Sequence, residues 1–501
     1  MAYPQNRTNP TLVIAYAFIR VSYWTSPPLP FSFATSKTGI SEEEKMSKPL
    51  WSYSASELHS AYRKGELQPT AVLEEVLKRN EIVNPNLNLF ATMDVDGART
   101  AAAESDKRFA QGQPLGDFDG IPVTIKDNIH VKDLRCAWGS NLFLDQISPE
   151  DELPVARIRA QGAVILGKTN VSEFTLGRGN VSTLAFGTTR NPWNPELTSG
   201  ASTGGGAAAT ASGVAPIAFG TDGGGSIRRP AAHNGLVGLK PSTGRVARIN
   251  GLPQILHDFE IIGPIARTVA DVALALSAVE GPHPHDRSSY GFTKGKLTPA
   301  RKGLKVLYVP QLADMPVEEP IRISCAKAAE NLASIGFKVE TGAAPFDVAL
   351  FEKLWPAIGG SGLAWLLKDT DWEGKIGTAY PPMIEKGKSL SAIDYVDALM
   401  AFREIYAQLA VAFETYDFIM TPSAGAMPWK AEEFGPPYHR AFTGFVNSAG
   451  LPGISIPCDP ASDGMPIGFQ VIAPFGGDWD LLSVAAAYEE EFPWAARWPN
   501  I

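Results

Sequence analysis

The 501-residue chain has little cysteine: Cys136, Cys325 and Cys458 are far apart and odd in number. That spacing indicates neither a disulfide framework nor a C-x-x-C metal site, and it suits buried thiols in a reducing, cytoplasmic compartment. The seven histidines are scattered, without H-E-x-x-H or similar ligand spacing, so no metal is expected. Positive charge is not in excess either. With 44 Lys and Arg against 53 Asp and Glu, the net charge of -9 argues against a general nucleic-acid binder. Residues 197–221 carry no charge, but Gly, Ala, Ser and Thr dominate them, and the large apolar side chains of a membrane span are missing.

Acidic residues are absent from 1–41, where Arg7, Arg20 and Lys37 are the only Lys or Arg and "TLVIAYAFI" is a short apolar run. Residues 1–45 are expected to be a disordered leader or a non-native extension, with an organelle or secretion signal left open. The domain proper is expected over 46–501. Its composition, 44% apolar and 10% aromatic, is that of a folded chain with a large core.

Periodicity supplies the elements. "SASELHSAYRKG" has Ser54 and Glu57 at capping-box spacing and Gly65 as a stop, and "TAVLEEVLKRN" repeats Val72, Leu73, Val76 and Leu77 on one face. "IPVTIKDNI", "GAVILGKT", "GVAPIAFGT" and "GLKVLYVP" read as buried strands, and "EEPIRISCAKAAENLASIGFKVE" as helix, glycine stop and strand. Such alternation predicts an α/β fold. Residues 281–300 and 340–440 look irregular and are expected to be loops walling a substrate pocket.

Two motifs match patterns whose context they lack. Gly162–Thr169 satisfies G-x-x-x-x-G-K-T, yet Ala163 to Leu166 read as the strand itself, whereas a phosphate cradle needs those residues to curl. A nucleotide-binding protein using Lys168 is therefore a minor alternative. "GASTG", Gly200–Gly204, matches a nucleophile elbow, but the preceding "RNPWNPELTSG" is a poor strand, and neither His257 nor His439 is marked as a base.

The segments "IPVTIKDNI", "TSGASTGGGAAATASG" and "IAFGTDGGGSIRRPAAHNGLVGLKP", in this order and spacing, resemble the amidase signature family of serine hydrolases. The resemblance runs from about Met46 to the C-terminus through "FVNSAGLPGISIPCD" and "GMPIGFQVIAPFGGDWDLL". It implies one large domain, a twisted mixed β-sheet covered by helices on both faces. It also implies Lys126 as catalytic lysine, Ser202 as cis-peptide serine and Ser226 as nucleophile, with an oxyanion hole of the N–H groups of Gly223, Gly224, Gly225 and Ser226. Asp222 and Arg228 match bracing positions. Thr203 stands where the family usually has Ser, adding a methyl. Gly223 stands where a larger residue is common, which is expected to loosen one side of the anion cradle.

The chemistry fits these residue types. A serine hydroxyl is activated only by a group that takes its proton, and lysine does so only when neutral, so Lys126 must be buried enough to lose its charge. Glycines let several N–H groups converge on a developing oxyanion. The expected function is an amidase acting on a small-molecule amide through an acyl-enzyme, without metal or organic cofactor, with esters or carbamates as further substrates. The alternative is the glutamine-dependent subunit of an amidotransferase, which works with a partner on charged tRNA. A homodimer stays open. Arg229 and His233 are expected to face solvent or fill packing space, and Trp355, Trp365 and Trp429 are candidates for an apolar wall.

Overall fold

The β-branched runs form strands buried on both faces, as they must when helices cover a sheet from above and below. The computed structural model describes residues 48–177 and 179–501; the leader expected at 1–45 lies outside them. Eleven strands make one sheet. They are β1 Phe90–Met93, β2 Pro122–Lys126, β3 Val164–Thr169, β4 Ile217–Asp222, β5 Val237–Lys240, β6 Ile261–Ala266, β7 Lys305–Tyr308, β8 Lys338–Thr341, β9 Phe418–Pro422, β10 Gly453–Pro457 and β11 Gly468–Ile472. Their spatial order is β1-β3-β2-β4-β6-β5-β10-β11-β9-β7-β8. β2 is parallel to both β3 and β4, whereas β6 is antiparallel to β4 and β5, so the sheet is mixed as expected.

The N-terminal helices follow the local signals. Ser54 and Glu57 form a full capping box on Ala55–Lys64, and Gly65 ends that helix in the left-handed region. Pro69 opens the next helix, Pro69–Leu87, which buries Val72, Leu73, Val76 and Leu77.

The uncharged stretch 197–221 ends in β4 and contains the helix Gly204–Ala211, all of whose residues are buried. Small residues are required there: a Cβ on Gly205 would lie 2.5 Å from the carbonyl oxygen of Asn170. Among the described residues no helix is long and apolar enough to cross a membrane.

Residues 340–440 differ from expectation. They hold three helices, Val348–Leu366, Tyr380–Ser389 and Ala392–Ala412. Pro356, Gly359, Gly360 and Gly362 made the first look like a loop, yet the glycines serve close packing. A Cβ on Gly387 would lie 2.0 Å from the carbonyl oxygen of Gly360, and one on Gly362 would lie 1.8 Å from that of Ile255. Helix propensity yields here to tertiary contact.

"GAVILGKT" is a strand from Val164 onward, with Lys168 fully buried and donating to the carbonyls of Asp127 (3.2 Å) and Arg135 (3.3 Å). It forms no phosphate cradle. The stretch before "GASTG" does contain a strand, Asn194–Thr198, contrary to expectation. Among the described residues it pairs with Arg190–Asn191 and bridges to Lys430, an edge position that tolerates proline.

Candidate active site

The site lies at the C-terminal ends of the parallel neighbours β2 and β4, where open α/β sheets leave room for ligands. The register pairs Ile125 with Phe219, so Lys126 at the end of β2 faces the last residues of β4. Its Nζ is fully buried and donates to Ser202 Oγ (2.8 Å), Thr221 Oγ1 (2.8 Å) and the Thr221 carbonyl (3.0 Å). Burial lowers the pKa of Lys126 to about 7; Glu260 and Asp222 raise it in part, and Arg248 and Arg229 lower it further.

Ser202 follows a cis peptide bond from Ala201 and is nearly buried. Ser226 lies past the end of β4, and both serines line one cavity of about 310 Å³. Thr203 joins their two segments, since its N–H donates to the Ser226 carbonyl (3.1 Å) and its Oγ1 to the Thr221 carbonyl (3.2 Å). Its additional methyl has a use: it packs over Gly220, where a Cβ would come within 2.3 Å of it.

The glycine run turns its carbonyls away from the cavity. Thr443 Oγ1 holds the Gly224 carbonyl (2.8 Å), Arg229 N–H that of Gly225 (3.0 Å) and Thr203 N–H that of Ser226. Gly225, at φ +110°, gives its own N–H to Asp222 Oδ1 at 2.6 Å. Of the four amides expected for the oxyanion, that of Gly225 is thus engaged by Asp222, whereas those of Gly223, Gly224 and Ser226 donate to none of the described residues. A Cβ on Gly223 would lie 2.5 Å from Leu256 Cδ1, so Leu256 takes up the space that a larger residue at this position would need.

Asp222 is the anchor of this loop. Besides Gly225 N–H, its carboxylate accepts from Ile227 N–H (3.0 Å) and from Arg228 Nε (3.0 Å) and Nη2 (2.9 Å), both side chains being fully buried. Buried as it is, its carboxyl is held far below the usual range, chiefly by the Arg228 guanidinium. Arg228 also donates to Gln470 Oε1 (2.6 Å), and Asn447 Nδ2 donates to the Asp222 carbonyl (2.7 Å).

Several residues here carried no sequence signal of a role. Thr221 and Asn128 are bonded to each other behind Lys126 (3.1 Å), and Asn128 and Arg248 reach Glu260 Oε1 (3.3 and 3.2 Å). Glu260 precedes β6, whose register sets Ile261 opposite Asp222, so only strand pairing brings that carboxylate near Lys126. Arg229 and His233 are buried rather than solvent-facing, and Arg229 lines the cavity. Of the three tryptophans, Trp355 lines the cavity, Trp365 is exposed, and Trp429 packs its ring on His233 and His439. Among the described residues no group of three His, Cys, Asp or Glu is placed to hold a metal ion.

A buried amine beside one serine, a second serine in the same cavity and a cradle of backbone amides are parts of a serine hydrolase. Residues 71–482 match the sequence profile of the family described as Amidase. The chain belongs to that family, the amidase signature enzymes. It is 33% identical over 481 residues to the A subunit of glutamyl-tRNA(Gln) amidotransferase from Thermosynechococcus vestitus, an alignment covering 89% of this chain and 99% of that one. The protein of the same description from Symbiobacterium thermophilum is also 33% identical, over 87% of this chain and 96% of its own. Among solved structures, a bacterial aryl acylamidase superposes with a TM-score of 0.83 at 26% identity, covering 90% of this chain and 100% of that one. A 6-aminohexanoate cyclic dimer hydrolase with bound substrate gives 0.81 at 27% identity, over 90% of this chain and 99% of its own.

Proposed function

We propose that the protein cleaves a carboxylic amide through a Ser226 acyl-enzyme. The observation that carries this reading is the buried Lys126, 2.8 Å from Ser202 Oγ, in a site whose cavity is lined by both Ser202 and Ser226. Ser226 Oγ, which bonds to none of the described residues before substrate enters, turns to Ser202 Oγ as it attacks the carbonyl carbon and passes its proton there, and the Ser202 proton passes to the neutral Lys126 Nζ. The N–H groups of Gly223, Gly224 and Ser226 take the charge that develops on the carbonyl oxygen. Collapse breaks the C–N bond, and Lys126 returns the proton through Ser202 to the departing nitrogen. Water then attacks the ester by the same relay, releasing carboxylate and Ser226. Asp222 and Arg228 position the loop without touching the reacting atoms. Esters and carbamates share the tetrahedral step.

The glutamine-dependent subunit of an amidotransferase is the second reading, and the curated relatives, at 33% identity over nearly their whole length, favour it over a free-standing amidase. It predicts ammonia release from glutamine, a partner protein and a charged tRNA. The cavity wall favours the first reading. Trp355, Leu256 and Met383 offer apolar surface, and no Asp or Glu among the described residues lines it to meet the α-ammonium of glutamine. Turnover of glutamine, an anilide and an aliphatic amide by the isolated chain decides. Anilide cleavage by the chain alone is expected; little turnover alone, with ammonia release from glutamine appearing only in complex with a partner protein and charged tRNA, favours the amidotransferase reading.

The pH profile is a further expected outcome. Only neutral Lys126 accepts a proton, so kcat/KM should rise about tenfold per pH unit below its pKa and level off above it. The bend is expected near that pKa, about 7. A profile flat from pH ~5 to ~9 contradicts the role of Lys126.

A further inference from the structure

A chain of hydrogen bonds runs from Lys126 to the carboxylate of Glu260. Lys126 Nζ and Asn128 Nδ2 both donate to Thr221 Oγ1, at 2.8 and 3.1 Å, and the same Asn128 nitrogen lies 3.3 Å from Glu260 Oε1. An ionised carboxylate only accepts, so it holds the Asn128 amide with its nitrogen toward Thr221, and Thr221 meets Lys126 as an acceptor. A neutral amine has two N–H groups and one lone pair. Thr221 Oγ1 and the Thr221 carbonyl (3.0 Å) take the two N–H groups, which leaves the lone pair to the Ser202 hydroxyl, 2.8 Å away.

Glu260 is also unevenly paired. Arg248 Nη1 lies 3.2 Å from Glu260 Oε1, but Arg248 Nε goes to Glu152 Oε1 at 2.7 Å, so two carboxylates share one guanidinium. The other acids close to Lys126 are better matched: Asp222 is paired with Arg228 (2.9 Å), and Asp127 faces Lys168 of β3 (3.8 Å). Burial lowers the pKa of Lys126; Glu260 opposes that more than Asp222 does, and Arg248 and Arg229 add to it. Thr175, whose Oγ1 donates to Glu260 Oε2 (3.1 Å), is part of the cavity wall, so the carboxylate stands one side chain behind the cavity.

We propose that Glu260 is a positioning residue that acts on Lys126 from behind Asn128 and Thr221, its negative charge setting the pH above which Lys126 accepts the Ser202 proton. The inference rests on the amide-cleaving reading above, in which Lys126 is the base. A negative charge favours the ammonium form of the lysine and so holds the bend of the rate profile at higher pH; removing that charge should move the bend down.

Profiles of kcat/KM against pH for the full chain, on an anilide and an aliphatic amide, test it. Glu260→Gln keeps the shape and removes the charge. Its amide oxygen can still accept from Asn128 and Arg248, and its amide nitrogen can donate to Thr175 Oγ1, whose own proton has the Phe174 carbonyl at 2.6 Å. The bend should fall by about one pH unit, which raises the rate on the acid limb about tenfold relative to the plateau. Arg248→Gln removes the opposing charge and should move the bend up, and it decides by itself where Glu260→Gln does not fold. Glu260→Asp keeps the charge and shortens the reach, so its bend should lie nearer to wild type than to Glu260→Gln. As a readout independent of turnover, NMR titration of Lys126 in Ser226→Ala protein should show the same displacement when Glu260→Gln is added. A bend that stays or rises in Glu260→Gln, or stays or falls in Arg248→Gln, overturns the proposal. So does a bend displaced equally in Glu260→Asp, because the effect is then one of shape. In each of these cases a wild-type bend leaves the amide-cleaving reading standing, whereas a flat wild-type profile, or rates equal to those of Ser226→Ala, sinks both.

Discussion

Ser226→Ala should lower kcat by about 10⁵- to 10⁶-fold on any amide the wild type cleaves, a barrier increase of about 7–8 kcal/mol. The substitution removes the attacking oxygen and little else. Ser226 Oγ is bonded to none of the described residues, and alanine keeps the backbone N–H and the carbonyl that Thr203 holds. Thermal stability should therefore stay within about 0.5 kcal/mol of wild type. What rate remains comes from the amide cradle. Adding Lys126→Met should change it by less than about tenfold, because residues that act as one unit lose their effect together. Single-turnover rates of the two variants and the wild type check this. A loss in Ser226→Ala of less than about tenfold removes the acyl-enzyme, and additive losses in the double variant uncouple Lys126 from the serine.

The largest expected effect on stability is that of Asp222→Ala. The carboxylate and its partner Arg228 are both fully buried, and loss of the acid leaves the guanidinium with uncompensated charge. Breaking such a pair from one side costs about 3–5 kcal/mol, a large part of a typical folding free energy of about 5–15 kcal/mol. Gly225 N–H and Ile227 N–H lose their acceptor at the same time, so the glycine loop loses its shape. Urea unfolding should show the loss, and activity should fall with it even where the variant is folded. Since the folded carboxyl is depressed, its contribution is fully present above the unfolded value, near ~3.9, and is lost as pH falls below it. A cost below about 1 kcal/mol would mark the pair as no better than one on the surface.

Local chemistry made part of this molecule readable. Ser54, Glu57 and Gly65 bracket their helix because capping needs only neighbours in sequence. The strands carrying Lys126 and Asp222 are apolar runs too short for helices, and their burial follows from composition. The helices of 348–412 were unreadable for the opposite reason. Their glycines answer to partners far along the chain, Gly360 to Gly387 and Gly362 to Ile255, and no window of sequence holds both members of such a pair.

The chain's own order of residues determined an α/β fold, a lysine at the end of one buried strand and two serines in glycine-rich turns. It left the two arginines after Ser226 indistinguishable in kind. Only the tertiary structure separates them, giving Arg228 to the carboxylate of Asp222 and Arg229 to the carbonyl of Ala201. It alone brings Glu260 near Lys126, and it alone gives the Gly225 N–H to the carboxylate of Asp222. The reason is that charge and hydrogen bonding depend on distance through space, and pairing of β4 with β6 sets those distances after the sequence has chosen the strands.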